Sequence, residues 1–450
     1  MPKIARMANI TRRATILLAC LFGLPAAAEP VASTAAALLD PRADIRSSAI
    51  RALGDSHDLT AVAPLIQHLY WSQESEQRNV VAALAALTGQ TFSTWFDWQV
   101  WEQEQAGLTP FAGYDAWLAE VLARVDPAFR RFVGAGVAHR IRLEEIVWGG
   151  VKVDGIPALD HPRTTNAAEA QWLAGDDWVF GAEINGDARA YPLRIVDWHE
   201  MVNDVVGGVK VSLAYCTLCG AAILFDSTAA GRPAFDFGSS GLLYRSNKLM
   251  YDRQTDSLWN QFTGEPVVGR LANSGIRLTI LPVVSTRWSV WRQQHPATTV
   301  LAEQTGFSRD YRAGAAYGAY FASGSLMFPA AVADPAHQKE FAFGLRVPGG
   351  VKVWPLDRFA GGAVINDRVG FLDVVLIGDS RDRTVRAYER QGRRFGATAL
   401  PDRLGAAGET WQVTEAALIG PHGQSLRRLP GHLGYRFAWD GYFGAGVEAP

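Results

Sequence analysis

The chain has 450 residues, 48% hydrophobic and 20% charged, with 44 Gly, 22 Pro and only 3 Cys, which excludes a disordered, a collagen-like or a disulfide-stapled miniature protein. At roughly 100–200 residues per domain there is material for several buried cores. A formal charge of −2, falling to −6 if four N-terminal basic residues are cleaved, gives no electrostatic reason to expect nucleic acid as a partner.

Lys3, Arg6, Arg12 and Arg13 precede the apolar run Ala14 to Leu24, and Ala26-Ala27-Ala28 stands before Glu29. This is the arrangement of a secretory leader over residues 1–28, cleaved after a small residue. The apolar run is well short of the ~20 residues that span a bilayer, so the mature chain is expected without a transmembrane anchor, in the periplasm or outside the cell. Two further export signals occur in partial form: Leu17-Leu18-Ala19-Cys20 resembles a lipoprotein cleavage site, and Thr11-Arg12-Arg13 carries the arginine pair of the route that exports folded proteins.

Residues 29–135 are rich in Ala, Leu, Trp, Glu and Gln with apolar residues at helical spacing, which predicts an α-helical module. Ala49, Ala52 and Leu53 recur 34 residues later as Ala83, Ala86 and Leu87, the period of stacked helix pairs, so a HEAT-like module is expected, with its surface available to a protein partner. Trp95, Trp98 and Trp101 fall on roughly one helical face, and core packing or docking onto the following domain is the expected use.

From Ile141 the pattern changes to short stretches of Val, Ile, Phe and Tyr broken by Gly, Asn-Gly and Asn-Asp pairs, the punctuation of β-hairpins. The fold class expected is therefore α+β. Gly181, Tyr191-Pro192-Leu193, Val202-Asn203-Asp204 and Gly207 recur as Gly344, Trp354-Pro355-Leu356, Ile365-Asn366-Asp367 and Gly370, all displaced by 163. Leu281-Pro282 with Trp291 recurs as Leu429-Pro430 with Trp439, displaced by 148. Two related β-rich repeats are predicted, 141–310 and 311–445, packed as a pseudo-two-fold pair. Asn203-Asp204 is common to both and is read as turn-forming.

What only one repeat carries is a candidate for chemistry. At the offset of 163, Cys216 falls on Asp379, Cys219 on Asp382, His199 on Gly362 and Glu200 on Ala363, so the second repeat is degenerate at this set. Tyr215-Cys216-Thr217-Leu218-Cys219-Gly220 lies between two apolar runs and predicts a strand, a tight turn and a strand. The helix that usually follows a redox C-x-x-C is unsupported here, whereas C-x-x-C-G also suits a metal knuckle that aims two thiolates at one point. With no further cysteine in the mature chain, His199 is the best nitrogen ligand and Glu200 the neighbouring carboxylate, a set suited to Zn or Cu. Two alternatives stand beside this: a redox dithiol with Cys216 and Cys219 as the catalytic pair, and a structural disulfide. The run Met250 to Gln261 brings together Asp252, Arg253 and Trp259, which could form one polar wall of a ligand or cofactor pocket.

Together these motifs resemble the family catalogued as domain of unknown function 3179. The matching residues are Ala190-Tyr191-Pro192-Leu193, His199-Glu200, Val202-Asn203-Asp204, Tyr215 to Gly220, Phe237-Gly238 with Gly241-Leu242, and Met250 to Thr255 with Ser257-Leu258-Trp259, across roughly residues 141–440. Thr217 stands where family members often have proline. The resemblance does not extend to the helical module, and it implies no activity. The reading from sequence is an exported transition-metal-binding protein with two thiolates and one imidazole; the alternatives are a thiol-disulfide oxidoreductase and a non-catalytic binding or scaffold protein. No phosphate-binding G-x-x-x-x-G-K-[ST] loop, H-E-x-x-H helix or G-x-S-x-G elbow occurs.

Overall fold

The computed structural model describes residues 31–229 and 231–444, so the expected leader, with Cys20, lies outside the described residues. Helices dominate the N-terminal part and sheets the remainder, the α+β class expected from the change in periodicity. Among the described residues no helix is long and apolar enough to cross a membrane.

The helices are Val31–Ala37, Ala43–Asp55, Val62–Trp71, Glu74–Thr88, Trp95–Glu104 and Tyr114–Ala123. Local chemistry sets several of their ends. Gly89 closes one helix in the left-handed conformation at φ 71°, and the Thr94 hydroxyl caps the next by accepting from the Asp97 backbone N–H at 3.2 Å. Ala49, Leu53 and Ala83 are buried, and a Cβ on Gly54 would come within 2.9 Å of the Ala83 methyl, so these helices pack almost backbone to backbone. Trp98 is fully buried, while Trp71 stacks on Trp148 at 5.2 Å. The helical core is continuous with Leu242, Tyr244, Leu249, Tyr251 and Leu258, on the first large sheet. That shared apolar cluster fixes the helices against the β region.

Three five-stranded sheets follow. One contains Phe237–Tyr244 and Asn247–Asp252, a second has Met201–Val206, Val209–Cys216 and Ala221–Asp226 at its centre, and a third pairs Val284–Arg287, Trp178–Ile184 and Asp187–Pro192. A three-stranded sheet of Gly350–Pro355, Phe341–Val347 and His432–Tyr435 and an eight-stranded one starting Ala363–Val369, Leu372–Asp379 and Thr384–Glu389 complete the chain.

Several contacts recur at the two offsets. Gly181 lies opposite Val284 and Gly344 opposite His432 in their ladders. A Cβ on Gly181 would lie 2.3 Å from the Trp291 ring, and one on Gly344 2.2 Å from the Trp439 ring, so each glycine admits an indole onto the sheet. Arg189 pairs with Asp204 at 2.6 Å, and Lys352 with Asp367 at 2.9 Å. Tyr191 donates to Asp204 at 3.0 Å where the Trp354 indole N–H donates to Asp367 at 2.9 Å.

One expectation is corrected. Asn203 and Asp204 do not form a turn; they sit inside the strand Met201–Val206 and are buried. Asn203 donates to Asp160 and to the Phe237 carbonyl and accepts from the Ser212 hydroxyl, and Asp204 holds Arg189 and Tyr191. Buried polar side chains survive in a strand when every hydrogen-bonding group is matched, as here. The reversal of the chain falls on Gly207 and Gly208, both at positive φ.

Between strands Thr299–Leu301 and Phe341–Val347 runs a long segment, residues 302–340, with the single short helix Gly318–Ala322. Tyr320 and Ala330 of this segment join the apolar cluster that contains Cys216 and Cys219.

Candidate functional site

Cys216 is the last residue of the strand Val209–Cys216 and lies opposite Ala221, the first of the next strand. The turn between them is closed by the Cys219 N–H to the Cys216 carbonyl at 3.2 Å and by Gly220 at φ 59°. This strand, turn and strand follow the sequence expectation. The geometry places the two Sγ atoms 3.2 Å apart, and both residues are buried, 1% and 0% exposed.

A second hairpin comes down on the sulfurs. Its turn residues, Arg245 and Ser246, are both left-handed at φ 51° and 57°, a conformation that costs side-chain-bearing residues free energy. The strained turn delivers three groups at once: the Ser246 carbonyl lies 3.4 Å from the Cys219 sulfur, the Asn247 amide donates to that sulfur at 3.1 Å, and the Lys248 backbone N–H donates to Cys216. Asn247 also donates to Gln261 at 2.9 Å, and Gln261 donates on to the Ala214 carbonyl.

The two thiols are driven apart. Burial raises Cys216, but the hydrogen bonds from the Cys219 side chain and from the Lys248 and Cys219 backbone N–H groups outweigh it, leaving Cys216 below its ordinary value. Burial and the neighbouring Cys216 sulfur push Cys219 well above. Of the two, Cys216 is therefore the sulfur that gives up its proton first and Cys219 the one that keeps it.

Glu200 caps the helix Leu193–His199 in the left-handed conformation at φ 55° and receives the Tyr215 N–H on its carbonyl at 2.7 Å. Its carboxylate ion-pairs with buried Lys248 at 3.0 Å, and its charge opposes ionisation of both thiols. Asp197, one turn earlier, is held well above its ordinary pKa by burial and by the Glu200 charge.

His199 is engaged elsewhere. Its Nδ1–H donates to the Pro157 carbonyl at 2.8 Å, which leaves Nε2 to accept from the Tyr311 hydroxyl at 2.6 Å. Burial lowers its pKa, so the ring is neutral. Among the described residues no three His, Cys, Asp or Glu side chains are gathered closely enough to hold a metal ion. The structure thus brings Cys216, Cys219 and Glu200 into one neighbourhood and leaves His199 outside it.

The pocket wall expected from Asp252, Arg253 and Trp259 is divided in the same way. Asp252 and Trp259 are fully buried, and Asp252 accepts from the Trp259 indole at 2.8 Å and from the Thr255 N–H at 2.6 Å, bonds that close a turn. Arg253 pairs with Asp160 at 2.7 Å and faces a separate cavity beside Tyr251 and Phe307.

Sequence reasoning missed Ser246, Asn247 and Lys248, although they form a polar interruption between the apolar runs Leu242 to Tyr244 and Leu249 to Tyr251. It also missed the 302–340 segment. Tyr320 donates to the Leu218 carbonyl inside the motif at 2.7 Å, and Tyr317 lies within electrostatic range of Glu200, Asp197 and Cys216. The segment is tied down at Asp310, whose carbonyl receives the Trp198 indole N–H at 2.7 Å, and at Tyr311 by His199. Helical residue Gln103 grips it again, donating to the Pro329 carbonyl at 3.3 Å and accepting from the Ala331 N–H at 3.0 Å.

A family model described as protein of unknown function (DUF3179) matches residues 153–446, beginning after the helices. No curated protein and no solved structure matches the chain.

Proposed function

The chain belongs to the DUF3179 family, described only as of unknown function, and from the geometry of its cysteine pair we propose that it is a thiol-disulfide oxidoreductase with Cys216 as nucleophile and Cys219 as resolving thiol. The observation that carries this reading is the pair of sulfurs 3.2 Å apart with opposite pKa shifts. A dithiol exchanges efficiently when one sulfur is a stabilised thiolate and the other keeps its proton until the second step. The Cys216 thiolate attacks a disulfide R–S–S–R, forming Cys216–S–S–R and releasing one RS⁻. The Cys219 thiol then loses its proton and displaces the second RS⁻, closing Cys216–S–S–Cys219. The proton ends on a released thiolate, and two electrons pass to the substrate. Closing to a disulfide's ~2.05 Å needs little more than 1 Å of sulfur movement.

Burial of both sulfurs sets the second requirement: the 302–340 segment must lift before a substrate enters. The chemistry fits an oxidising compartment, in keeping with the leader expected at 1–28. We also infer that the two β-rich halves are copies of one unit and that the six helices are a HEAT-like addition. Support for the first comes from the repeated glycine–tryptophan and cation–aspartate contacts; support for the second comes from the 34-residue recurrence on packed helices.

The test is thiol counting, redox titration and elemental analysis on the full chain beside Cys216→Ser and Cys219→Ser. The reading expects one two-electron transition, lost in either variant, with a mixed disulfide trapped by Cys219→Ser. About one Zn or Cu per chain, lost in both variants, would overturn it in favour of a metal centre.

A further inference from the structure

The helices meet the β region through a buried charge cluster that the cysteine chemistry does not use. Glu102, in the last turn of the helix Trp95–Glu104, is fully buried, and so are Gln99 one turn before it and Glu145 across the joint; Glu144 is 4% exposed. Two guanidiniums serve the three carboxylates. Arg142 pairs with Glu144 at 2.7 Å and with Glu145 at 3.2 Å, and Arg245 pairs with Glu145 at 2.6 Å. Glu102 has no ion pair among the described residues: one carboxyl oxygen, Oε2, accepts from the Gln99 amide at 2.9 Å, and Oε1 has no hydrogen-bond partner. With all three carboxylates ionised the cluster would hold one uncompensated negative charge out of reach of water, which is strongly unfavourable. A proton on Glu102 removes it. In keeping with that, burial and the charges of Glu144 and Glu145 hold Glu102 well above its ordinary value, against the opposing pull of Arg142 and Gln99, and the Tyr114 phenol that faces it is kept un-ionised.

The cluster is tied to the cysteine pair from two sides. Arg142 donates to the Glu102 carbonyl at 2.9 Å and holds the last helical turn down, and the next residue, Gln103, is the one that grips Pro329 and Ala331 of the 302–340 segment. On the other side Glu145 holds Arg245, the first left-handed residue of the turn whose following residues, Ser246 and Asn247, contact the Cys219 sulfur. Because Glu102 is fully buried, hydrating its carboxylate means lifting this last turn from Arg142, and Gln103 moves with it.

We propose that Glu102 is a proton-operated latch on the cysteine pair: protonated, it lets the last helical turn close so that Gln103 holds the 302–340 segment; on losing its proton it draws the turn into water and releases the segment. The sulfurs are then shut in under acid conditions and uncovered as pH rises. The direction follows from linkage. In the open form Glu102 is hydrated and titrates near its ordinary 4.5, whereas in the closed form it keeps its proton to higher pH. Between those two points closing takes up one proton, so the open fraction grows about tenfold for each pH unit. The inference concerns access to the sulfurs and holds whether or not they exchange with disulfides.

The test is hydrogen exchange of the full chain, read by mass spectrometry as protection factors so that the intrinsic pH dependence of exchange is divided out. The Cys216→Ser/Cys219→Ser background removes thiol titration as a cause. From about pH 6 to about pH 9, protection of the peptide containing Ala331 should fall about tenfold per pH unit, while that of the strand Leu372–Asp379 stays level. Glu102→Gln, which keeps the shape of the neutral acid, should stay at the protected level throughout. Glu144→Gln leaves two carboxylates for two guanidiniums, so Glu102 should ionise at lower pH and the fall should level off earlier. Level protection across this range without either glutamate substitution, a fall that persists in Glu102→Gln, or a fall that sodium or potassium chloride suppresses relative to choline chloride would overturn the proposal. The last result would put a cation where the latch needs a proton.

Discussion

Gly220 and Arg383 each adopt the left-handed conformation one residue before a strand, at φ 59° and 49°, and each packs on an aromatic ring far away in the sequence. A Cβ on Gly220 would lie 2.8 Å from the Phe341 ring, and the Arg383 guanidinium lies 4.2 Å from the centroid of Trp178 and 4.3 Å from that of Phe341. Gly220→Ala combines a positive-φ penalty with this contact, so it should cost about 2 kcal/mol in urea unfolding. Arg383→Ala should cost about 1–3 kcal/mol through the two lost ring contacts. Full stability in both variants would show that these ring contacts contribute nothing.

Access to the sulfurs should be controlled by the hydroxyl of Tyr320, which donates to the Leu218 carbonyl at 2.7 Å. Tyr320→Phe removes one hydrogen bond of about 1 kcal/mol, so opening, and with it iodoacetamide labelling of Cys216, should quicken about fivefold. Gln103→Ala removes two contacts on the same segment and should quicken it further. Unchanged labelling rates in both would mean that the thiols are reached by another route.

Asn247 should set the redox potential. Its amide donates at 3.1 Å to the Cys219 sulfur of the reduced pair, a better hydrogen-bond acceptor than a disulfide sulfur. Asn247→Leu should make the reduced pair less favourable and lower the potential, by about 30 mV for each ~1.4 kcal/mol lost. The check is equilibration against glutathione, with the melting temperature followed in parallel because Gln261 loses its donor. A higher potential in the variant would contradict this.

Acid should unfold the protein partly through His432. Burial takes its pKa down to about 3, its Nε2 has no partner, and the ring stacks on Trp439 at 4.7 Å. The unfolded chain binds this proton near pH 6.5 and the folded chain does not, so stability is intact above pH 6.5 and falls as pH drops towards 3. The loss between pH 7 and 5 is about 2 kcal/mol from this residue. His432→Phe should remove that share of the pH dependence in denaturant titrations. An unaltered slope would place a proton on the native ring.

Much of this architecture was legible because short-range patterns carry it. The 3.6-residue periodicity before residue 135 and the alternation after 141 separate helices from strands, and the apolar runs around Cys216 and Cys219 predict the hairpin that the structure contains. The covering segment has no periodicity to read, and its contacts join residues far apart in sequence, such as Tyr320 with Leu218 and Gln103 with Ala331. Asn203 and Asp204 misled for the opposite reason. Their composition is that of a turn, and only the long-range partners Asp160, Ser212 and Arg189 make them tolerable inside a strand. His199 and Asp252 carry functional side chains whose capacity is already spent on Pro157, Tyr311, Thr255 and Trp259. Spacing alone cannot reveal that.

The grip of Gln103 on residues 329–331 also limits how the chain can be rearranged. A cut after residue 135 would strip Leu242, Tyr244 and Leu249 of their apolar cover and free the strap over the thiols in one stroke. The helices and the strap are therefore a single unit of exchange: a graft carrying one without the other would inherit the cysteines without their enclosure.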